Sequence, residues 1–405
     1  MTKLRTIPWR SLILALLVQF TGSSEVLVGA TSSTVQVSTE RLPSAPSLGQ
    51  EPSVSELNLS GPLSDNLLEL ALLEDAANGR LDRHTLTAAG LIASGVRDAV
   101  TLQRYSKMLE ALCAEIKSET PAASSARERA QRIFAMMYEQ VLTGDYIADC
   151  TDFREALDAG KYNCVSSTLL FQILADSARL KTKVVAGRNH VFAILEVDGE
   201  QIDVQTTCPD WFAVMDDSKR QPARLKAILN SPAAGELSQS SDRTAVSDCG
   251  LISLIYYNHG VDLLERNDFA AAIAANRKAF ALDPRNAAAS GNLLAAINNW
   301  ALKLNAEGES ARALSLLESG LSFAPRHELF RSNYVAIFQH WLPTLIAEQE
   351  WKEASSALDR VQRTLPDEPC FQVARAEMFL RWSSALLETS ESAGLGALPA
   401  AWAGR

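Results

Sequence analysis

The feature that most constrains this chain is a period of 41 residues in its last third. Two large or rigid residue types recur at this spacing, namely Pro284, Pro325 and Pro366, and Trp300, Trp341 and Trp382. Small residues keep the same phase at Ala272, Ala313 and Ala354. A fixed period of this size indicates helix pairs that stack into a solenoid and bury their apolar faces against their neighbours. The sequence therefore predicts an all-α repeat array over residues 249–390, followed by a tail over 391–405.

The first unit of the array, residues 256–286, carries a family resemblance. Gly260 lies where two helices would pack closely, Ala272 where a small residue admits a neighbour, and Pro284 at the end of the second helix. This unit resembles a tetratricopeptide repeat. The next two units depart from that family, because their first helices would be about seven residues longer than a 34-residue repeat permits. The resemblance implies that the array binds a protein or peptide partner on its concave side.

Composition excludes one class of partner. The chain of 405 residues is 47% hydrophobic and 21% charged, which is enough apolar material for folded domains. Its net charge is −10, and its lysines and arginines form no cluster. A surface for nucleic acid needs clustered positive charge to neutralise phosphates. We therefore expect no nucleic-acid partner.

The N-terminal segment is typical of an export signal. Basic residues precede an apolar run of ten, residues 11–20, which is too short for a membrane span of about 20 residues. Small residues at 28–30 offer a cleavage site. The sequence predicts a signal peptide over 1–30, a Ser/Thr/Pro-rich tether over 31–62, and a periplasmic or extracellular protein. The alternative is an uncleaved segment that tethers the protein to a membrane.

The six cysteines have two interpretations. Export makes disulfides possible, and an even number allows all six to pair. No two have the C-x-x-C spacing of metal ligands, so we predict no metal and no cofactor. If Cys164 is reactive, at least one of the other five is also unpaired. Cys208 either packs beside the reactive site or forms a disulfide.

The middle of the chain, residues 63–230, is predicted to be an α+β domain with N-terminal helices. Apolar residues recur every three or four positions between 102 and 116, and Ser125 and Glu128 have capping-box spacing. Further on, a short strand (183–186) precedes two strands that flank Asp198-Gly199, a strong hairpin signal. A short helix is expected at 223–229, and the polar residues 231–248 are interpreted as the linker to the repeats.

Cys164 is the candidate nucleophile. Asn163 is a good N-cap, so Cys164 would lie in the first turn of a helix. The free backbone N–H groups of that turn would lower the pKa of the thiol and could bind an oxyanion. A cysteine nucleophile needs a base, and His190, at the start of the first hairpin strand, is the nearby candidate.

A cysteine that opens a helix, a strand that begins with histidine, and a hairpin that returns a polar residue together resemble the core of the transglutaminase-like superfamily. That superfamily is similar to papain-type cysteine peptidases. The resemblance implies that Cys164 and His190 act on protein or peptide amide bonds and that a third residue orients the imidazole. The alternative is a non-enzymatic scaffold in which this core is degenerate and the repeats bind a protein.

The third residue is either Asp203 or Gln205. With a two-residue turn at Asp198-Gly199, Asp203 lies opposite Ile194, four positions along the strand from His190, or about 13 Å. Gln205 is only two positions away, at about 7–8 Å. An amide can orient imidazole by accepting its N–H, as asparagine does in papain-like enzymes. We keep both residues and favour Asp203 slightly, because an irregular turn would bring it closer to His190.

Overall fold

Helices make up most of the described part of the protein. The computed structural model describes residues 59, 61–121, 124–187, 190–216 and 243–392. The fold is 68% helical, with a small four-stranded antiparallel sheet and a C-terminal stack of helices. This confirms the predicted combination of a mixed α and β part with an all-α part. The predicted signal peptide, most of the tether and the helix at 223–229 lie outside the described residues. No described helix is both long enough and apolar enough to cross a membrane.

Five α-helices of the described chain precede the helix that begins at Cys164. They are α1 (Leu67–Asp75), α2 (Leu86–Ala93), α3 (Ala99–Glu119), α4 (Ala126–Met136) and α5 (Phe153–Ala159). Each begins after a polar residue whose side chain accepts a backbone N–H of the first turn, which satisfies a donor that the helix leaves free. The capping box predicted at Ser125 and Glu128 is present. A π-helical turn, Met137–Val141, extends α4.

The sheet is built around the predicted hairpin. Its four strands are β1 (Thr182–Ala186), β2 (Val191–Val197), β3 (Glu200–Val204) and β4 (Thr244–Val246), in the order β3-β2-β1-β4. The helix α6 (Cys164–Ser177) precedes β1, and the short helix α7 (Trp211–Asp216) follows β3. Asp198 and Gly199 have φ angles of 49° and 87°, the left-handed values that a tight two-residue hairpin turn requires. Val197 therefore pairs with Glu200, and Ile194 with Asp203, as the sequence predicts.

The described end of the predicted linker contains a strand. Residues 231–248 were predicted as the linker to the repeats, and within them β4 pairs with β1, where Val184 lies opposite Val246. Asp248 already begins the next helix, α8. A strand of three residues beside a polar segment is too short to produce an alternating pattern, so the sequence gives no signal for it.

The repeat array follows the 41-residue period closely. Its helices are α8 (Asp248–Glu265), α9 (Phe269–Leu282), α10 (Ala287–Ala306), α11 (Ser310–Phe323), α12 (Glu328–Ala347), α13 (Trp351–Thr364) and α14 (Pro369–Ser392). The second helices, α9, α11 and α13, each contain 14 residues and begin 41 residues apart. Trp300 is 2% exposed, and Trp382 stacks on Trp351 with ring centroids 6.3 Å apart. Trp300 and Trp382 thus pack against other residues of the array.

The first repeat packs into the same apolar core as the α+β part. Buried residues of α8, such as Ile252 and Ile255, share one continuous cluster with Leu169 of α6 and Leu195 of β2. A buried carboxylate reinforces this junction: Glu69 of α1 is 1% exposed and contacts Tyr256 of α8. The rest of the array has its own core. The first repeat is thus an integral part of the α+β unit as well as the start of the array.

Gly260 marks the closest approach of α8 and α9. A Cβ added there would lie 2.3 Å from Nδ2 of Asn276, which is fully buried and donates to the Ala272 carbonyl. We therefore expect Gly260→Ala to destabilise the protein by about 1–3 kcal/mol, the usual cost of overpacking, in urea unfolding. Asn276→Ala makes room, so the double variant should lose less stability than the two single changes add up to. Strict additivity would contradict this explanation.

Candidate functional site

The N-terminus of α6 fixes the backbone at Cys164. Oδ1 of Asn163 accepts the N–H groups of Val165 at 2.9 Å and Ser166 at 3.0 Å, and Oγ of Ser166 accepts the Asn163 N–H. This reciprocal capping box holds the first turn, as the N-cap prediction requires. Nδ2 of Asn163 also donates to the Ala148 carbonyl, which attaches the preceding loop. The N–H of Cys164 takes no part in the capping box.

His190 lies immediately before β2 and is 7% exposed. Its carbonyl accepts the N–H of Gly187 at 2.8 Å, which closes the connection from β1. Its Nε2 lies 2.9 Å from Oε1 of Gln205. Its Nδ1 is buried and has no hydrogen-bond partner. The imidazole is thus fixed through one nitrogen, while the other remains available.

The structure brings Gln205, and not Asp203, to His190. The regular hairpin turn keeps Asp203 opposite Ile194, so the irregularity that would have favoured Asp203 is not there. Asp203 instead accepts two hydrogen bonds from the Arg243 guanidinium, at 2.9 and 3.1 Å. The slight preference for Asp203 as the residue that contacts the imidazole was therefore wrong. The distances along the strands had placed Gln205 nearer to His190, and the structure confirms that contact.

The contact with Gln205 fixes the tautomer of His190. An amide oxygen accepts only, so Nε2 of the ring must carry the hydrogen and donate it to Oε1. Nδ1 then retains its lone pair and can accept a proton. Burial lowers the pKa of His190, and the hydrogen bond with Gln205 partly offsets this effect. The ring is therefore a neutral base at rest.

The thiol of Cys164 lies beside the residue that follows His190. The backbone N–H groups of Val191, Cys164 and Val165 lie near enough to its sulfur to favour the thiolate. Burial nevertheless raises the pKa of the thiol, and the three N–H donors only reduce the rise. The prediction of a lowered pKa was wrong, because the loss of hydration around the sulfur outweighs the helix N-terminus. The residue as a whole is partly exposed, but not enough to keep the thiol solvated.

A buried cluster of hydroxyl groups joins the three segments of the site. Oγ1 of Thr206, the residue after Gln205, contacts Oγ of Ser167 at 3.1 Å and Oγ1 of Thr168 at 2.8 Å, both on α6. Thr168 also donates to the Val191 carbonyl of β2, and the Tyr138 hydroxyl donates to the Thr206 carbonyl. The cluster was not predicted from the sequence, although polar residues on the inward face of α6 indicate it.

Aromatic and charged residues cover the other side of the imidazole. The rings of His190 and Phe192 are stacked with centroids 6.0 Å apart, and the Arg243 guanidinium lies 5.2 Å from the centroid of Phe192. Trp211 donates from its indole N–H to the Asp203 carbonyl and is buried, as expected for a core residue. Arg243 thus connects the segment before β4 to both β2 and β3.

The disulfide state of the cysteines and the grouping of possible metal ligands limit the chemistry of the site. All six cysteines lie in the described residues, and none of them, Cys208 included, forms a disulfide. Among the residues that the structure describes, no three His, Cys, Asp or Glu side chains are grouped to hold a metal ion. The arrangement at the site is a thiol, a neutral imidazole and an amide, with the backbone N–H of Cys164 beside the thiol.

Comparisons with known proteins identify no family for this chain. No family model matches the chain, and no curated protein is similar to it.

Proposed function

We propose that this chain is an exported cysteine enzyme with a transglutaminase-like core, which acts on protein or peptide amide bonds. The observation that carries the proposal is the contact between Nε2 of His190 and Oε1 of Gln205, which leaves Nδ1 without a hydrogen-bond partner on a ring whose next residue, Val191, has its backbone N–H beside the Cys164 sulfur. A histidine held in this way can accept a thiol proton, which is the essential requirement for a cysteine nucleophile.

The proposed reaction has two halves. The Cys164 thiol gives its proton to Nδ1 of His190 as the sulfur attacks the carbonyl carbon, and the backbone N–H of Cys164 stabilises the oxyanion. The C–N bond then breaks, and the departing nitrogen takes the proton from Nδ1. In the second half, water gives a proton to Nδ1 while its oxygen attacks the thioester. The acid leaves, and the thiol regains its proton.

The proposed reaction can start from a neutral Cys164 thiol and a neutral His190 imidazole. Because burial raises the pKa of Cys164 and lowers that of His190, the thiolate forms together with attack and does not exist beforehand as a stable ion pair. Gln205 keeps the basic nitrogen oriented, in the role that asparagine has in papain-like enzymes. Hydrolysis is proposed over cross-linking, since nothing in the site specifies an amine acceptor.

The tetratricopeptide-like array would present the substrate protein to this site, and the N-terminal signal would place the enzyme in the periplasm or outside the cell. No metal or cofactor takes part in the proposed reaction.

One observation favours a second candidate function, a non-enzymatic scaffold. A buried thiol with a raised pKa is what an inert core cysteine has, and such a thiol reacts slowly at neutral pH. In that case the repeats alone would carry function, by binding a protein.

Thiol alkylation separates the two candidates. We expect iodoacetamide at pH 7 to modify Cys164 at least about 100-fold faster than Cys150, because His190 supplies a base. Cys150 is an internal reference, since it is also partly exposed and burial raises its pKa to about 11. The rates are measured by mass spectrometry of the two peptides. In His190→Ala the difference should disappear, and Cys164→Ala identifies the labelled peptide.

The scaffold predicts the opposite pattern. Cys164 would then react more slowly than Cys150, and His190→Ala would leave its rate unchanged. That result would refute the enzyme proposal.

A further inference from the structure

The last helix of the array exposes an apolar stripe. Val373, Leu380 and Leu387 of α14 are 68%, 70% and 51% exposed, and they are spaced by seven residues. Residues seven apart lie on the same side of a helix, two turns from each other. The positions beside them on this face, among them Glu377 and Arg381, are exposed as well. One whole side of α14 is therefore open and partly apolar.

The 41-residue period identifies which side this is. Leu380 corresponds to Gln339 of α12 and to Asn298 of α10. Oδ1 of Asn298 accepts a hydrogen bond of 2.6 Å from Asn333 of α12, and the side chain of Gln339 lies beside Cys370 of α14. In both earlier units this position contacts the first helix of the next unit. The stripe thus lies on the face that receives another helix.

The apolar residues of this stripe do not recur at the equivalent positions of the earlier repeats. Polar residues or glycine occupy most of the equivalent positions, which are Gly291, Asn298 and Asn305 in α10 and Ser332, Gln339 and Ile346 in α12. Only in α14 are all three positions apolar. Exposed leucine and valine in line on one helix are typical of a surface that packs against a protein partner.

We propose that α14 pairs with α14 of a second copy of this chain, in antiparallel orientation about a twofold axis at Leu380. An interface between identical chains must be self-complementary, so the same stripe serves both partners. With Leu380 at the axis, Val373 of one copy lies level with Leu387 of the other. Two apolar pairs of similar size therefore flank the central leucines symmetrically.

The charges beside the stripe fit the same arrangement. Glu377 and Arg381 form an ion pair of 2.8 Å within α14 and lie on one flank of the stripe. In an antiparallel pair, Glu377 of each copy lies two residues, or about 3 Å along the axis, from Arg381 of the other. Two reciprocal ion pairs then cross the twofold axis. A parallel pair would instead place each charge level with its own equivalent.

The mass of the full chain in solution tests this pairing. We expect light scattering after size exclusion, over a dilution series from about 100 µM to about 0.1 µM, to give twice the mass of a 44.0 kDa chain at the upper end. Leu380→Glu places two negative charges against each other at the axis, so it should give one chain throughout. Val100→Glu is the matched control, because Val100 (79% exposed) is at least as exposed as Leu380 but lies on α3. It should leave the dimer intact.

A charge reversal tests the orientation. Glu377→Arg and Arg381→Glu should each raise the dissociation constant at least about tenfold, and the double variant should restore it. A single chain at every concentration of the wild type overturns the proposal, and so does a dimer that survives Leu380→Glu or is lost in Val100→Glu. These masses do not depend on catalysis, so the dimer and the enzyme can each fail alone.

Discussion

Gln205→Ala is expected to reduce the alkylation rate of Cys164 at pH 7 about 100-fold, the lower end of what a positioned base contributes. Removing the amide takes away the partner of Nε2 of His190, and no second partner is placed to fix the ring. The hydrogen can then reside on Nδ1, where it blocks acceptance of the thiol proton. The measurement is the second-order rate constant with iodoacetamide, followed on the Cys164 peptide.

Asp203→Asn provides the matched comparison on the same strand. It removes the charge that pairs with Arg243 but leaves Gln205 in place, so the rate should change less than about threefold. If Asp203→Asn caused the large loss and Gln205→Ala the small one, the assignment of the third residue would have to be reversed.

Gln205→Glu should retain reactivity and move its pH dependence. A carboxylate also accepts the Nε2 hydrogen, and its charge favours the protonated imidazole, so the pKa of His190 would rise from its lowered value. Reactivity that depends on the neutral base would then begin at higher pH than in the wild type. A merely structural role for Gln205 would leave the pH profile where it is.

The parts of this site that the sequence could predict are those set by local geometry. Asn163 identifies the start of α6 because a capping side chain reaches only the first turn. Asp198 and Gly199 fix the hairpin register because few residue pairs tolerate two positive φ angles. From that register, strand spacing alone places Gln205 nearer to His190 than Asp203.

The parts that could not be predicted depend on distant segments. The pKa of Cys164 is set by how completely the surrounding segments exclude water, and the helix start alone predicts the wrong direction. The ion pair between Asp203 and Arg243 joins residues that are 40 apart in the sequence. It depends on the position of β4, a strand of three residues that has no recognisable sequence pattern. The hydroxyl cluster likewise needs Thr206 and Ser167 to meet across two elements.

Glu69 is the clearest case of a residue whose role appears only in three dimensions. Its carboxylate contacts four donors from separate segments: Ser64, Arg97, Tyr256 and Lys278. Lys278 donates at 2.7 Å from α9 and the Tyr256 hydroxyl at 2.8 Å from α8, so the bonds join α1 to the first repeat. Burial raises the pKa of Glu69, but the hydrogen bonds, that of Lys278 first, outweigh it and lower the pKa overall.

Glu69→Ala is therefore expected to lower the free energy of unfolding by about 3–5 kcal/mol, because it leaves the Lys278 ammonium and the Arg97 guanidinium without their partner. Urea unfolding followed by circular dichroism measures the loss. Glu74→Ala, an exposed glutamate on the same helix, should change stability by less than about 0.5 kcal/mol. Adding Lys278→Met to Glu69→Ala should recover part of the loss, because the stranded charge is removed. Equal losses for Glu69→Ala and Glu74→Ala would contradict a structural role for this carboxylate.

The same carboxylate should make stability depend on pH in a defined window. Because its pKa is lower in the folded than in the unfolded protein, the unfolded state binds the proton first as pH falls. The contribution of Glu69 is then complete above the ordinary glutamate pKa of about 4.5, and it disappears as pH falls through the lower folded value. Glu69→Gln should flatten this acid limb of the stability curve while leaving the curve above pH 6 parallel to that of the wild type. An unchanged acid limb would mean that other carboxylates, such as Asp75 with its own lowered pKa, carry the acid sensitivity of the junction.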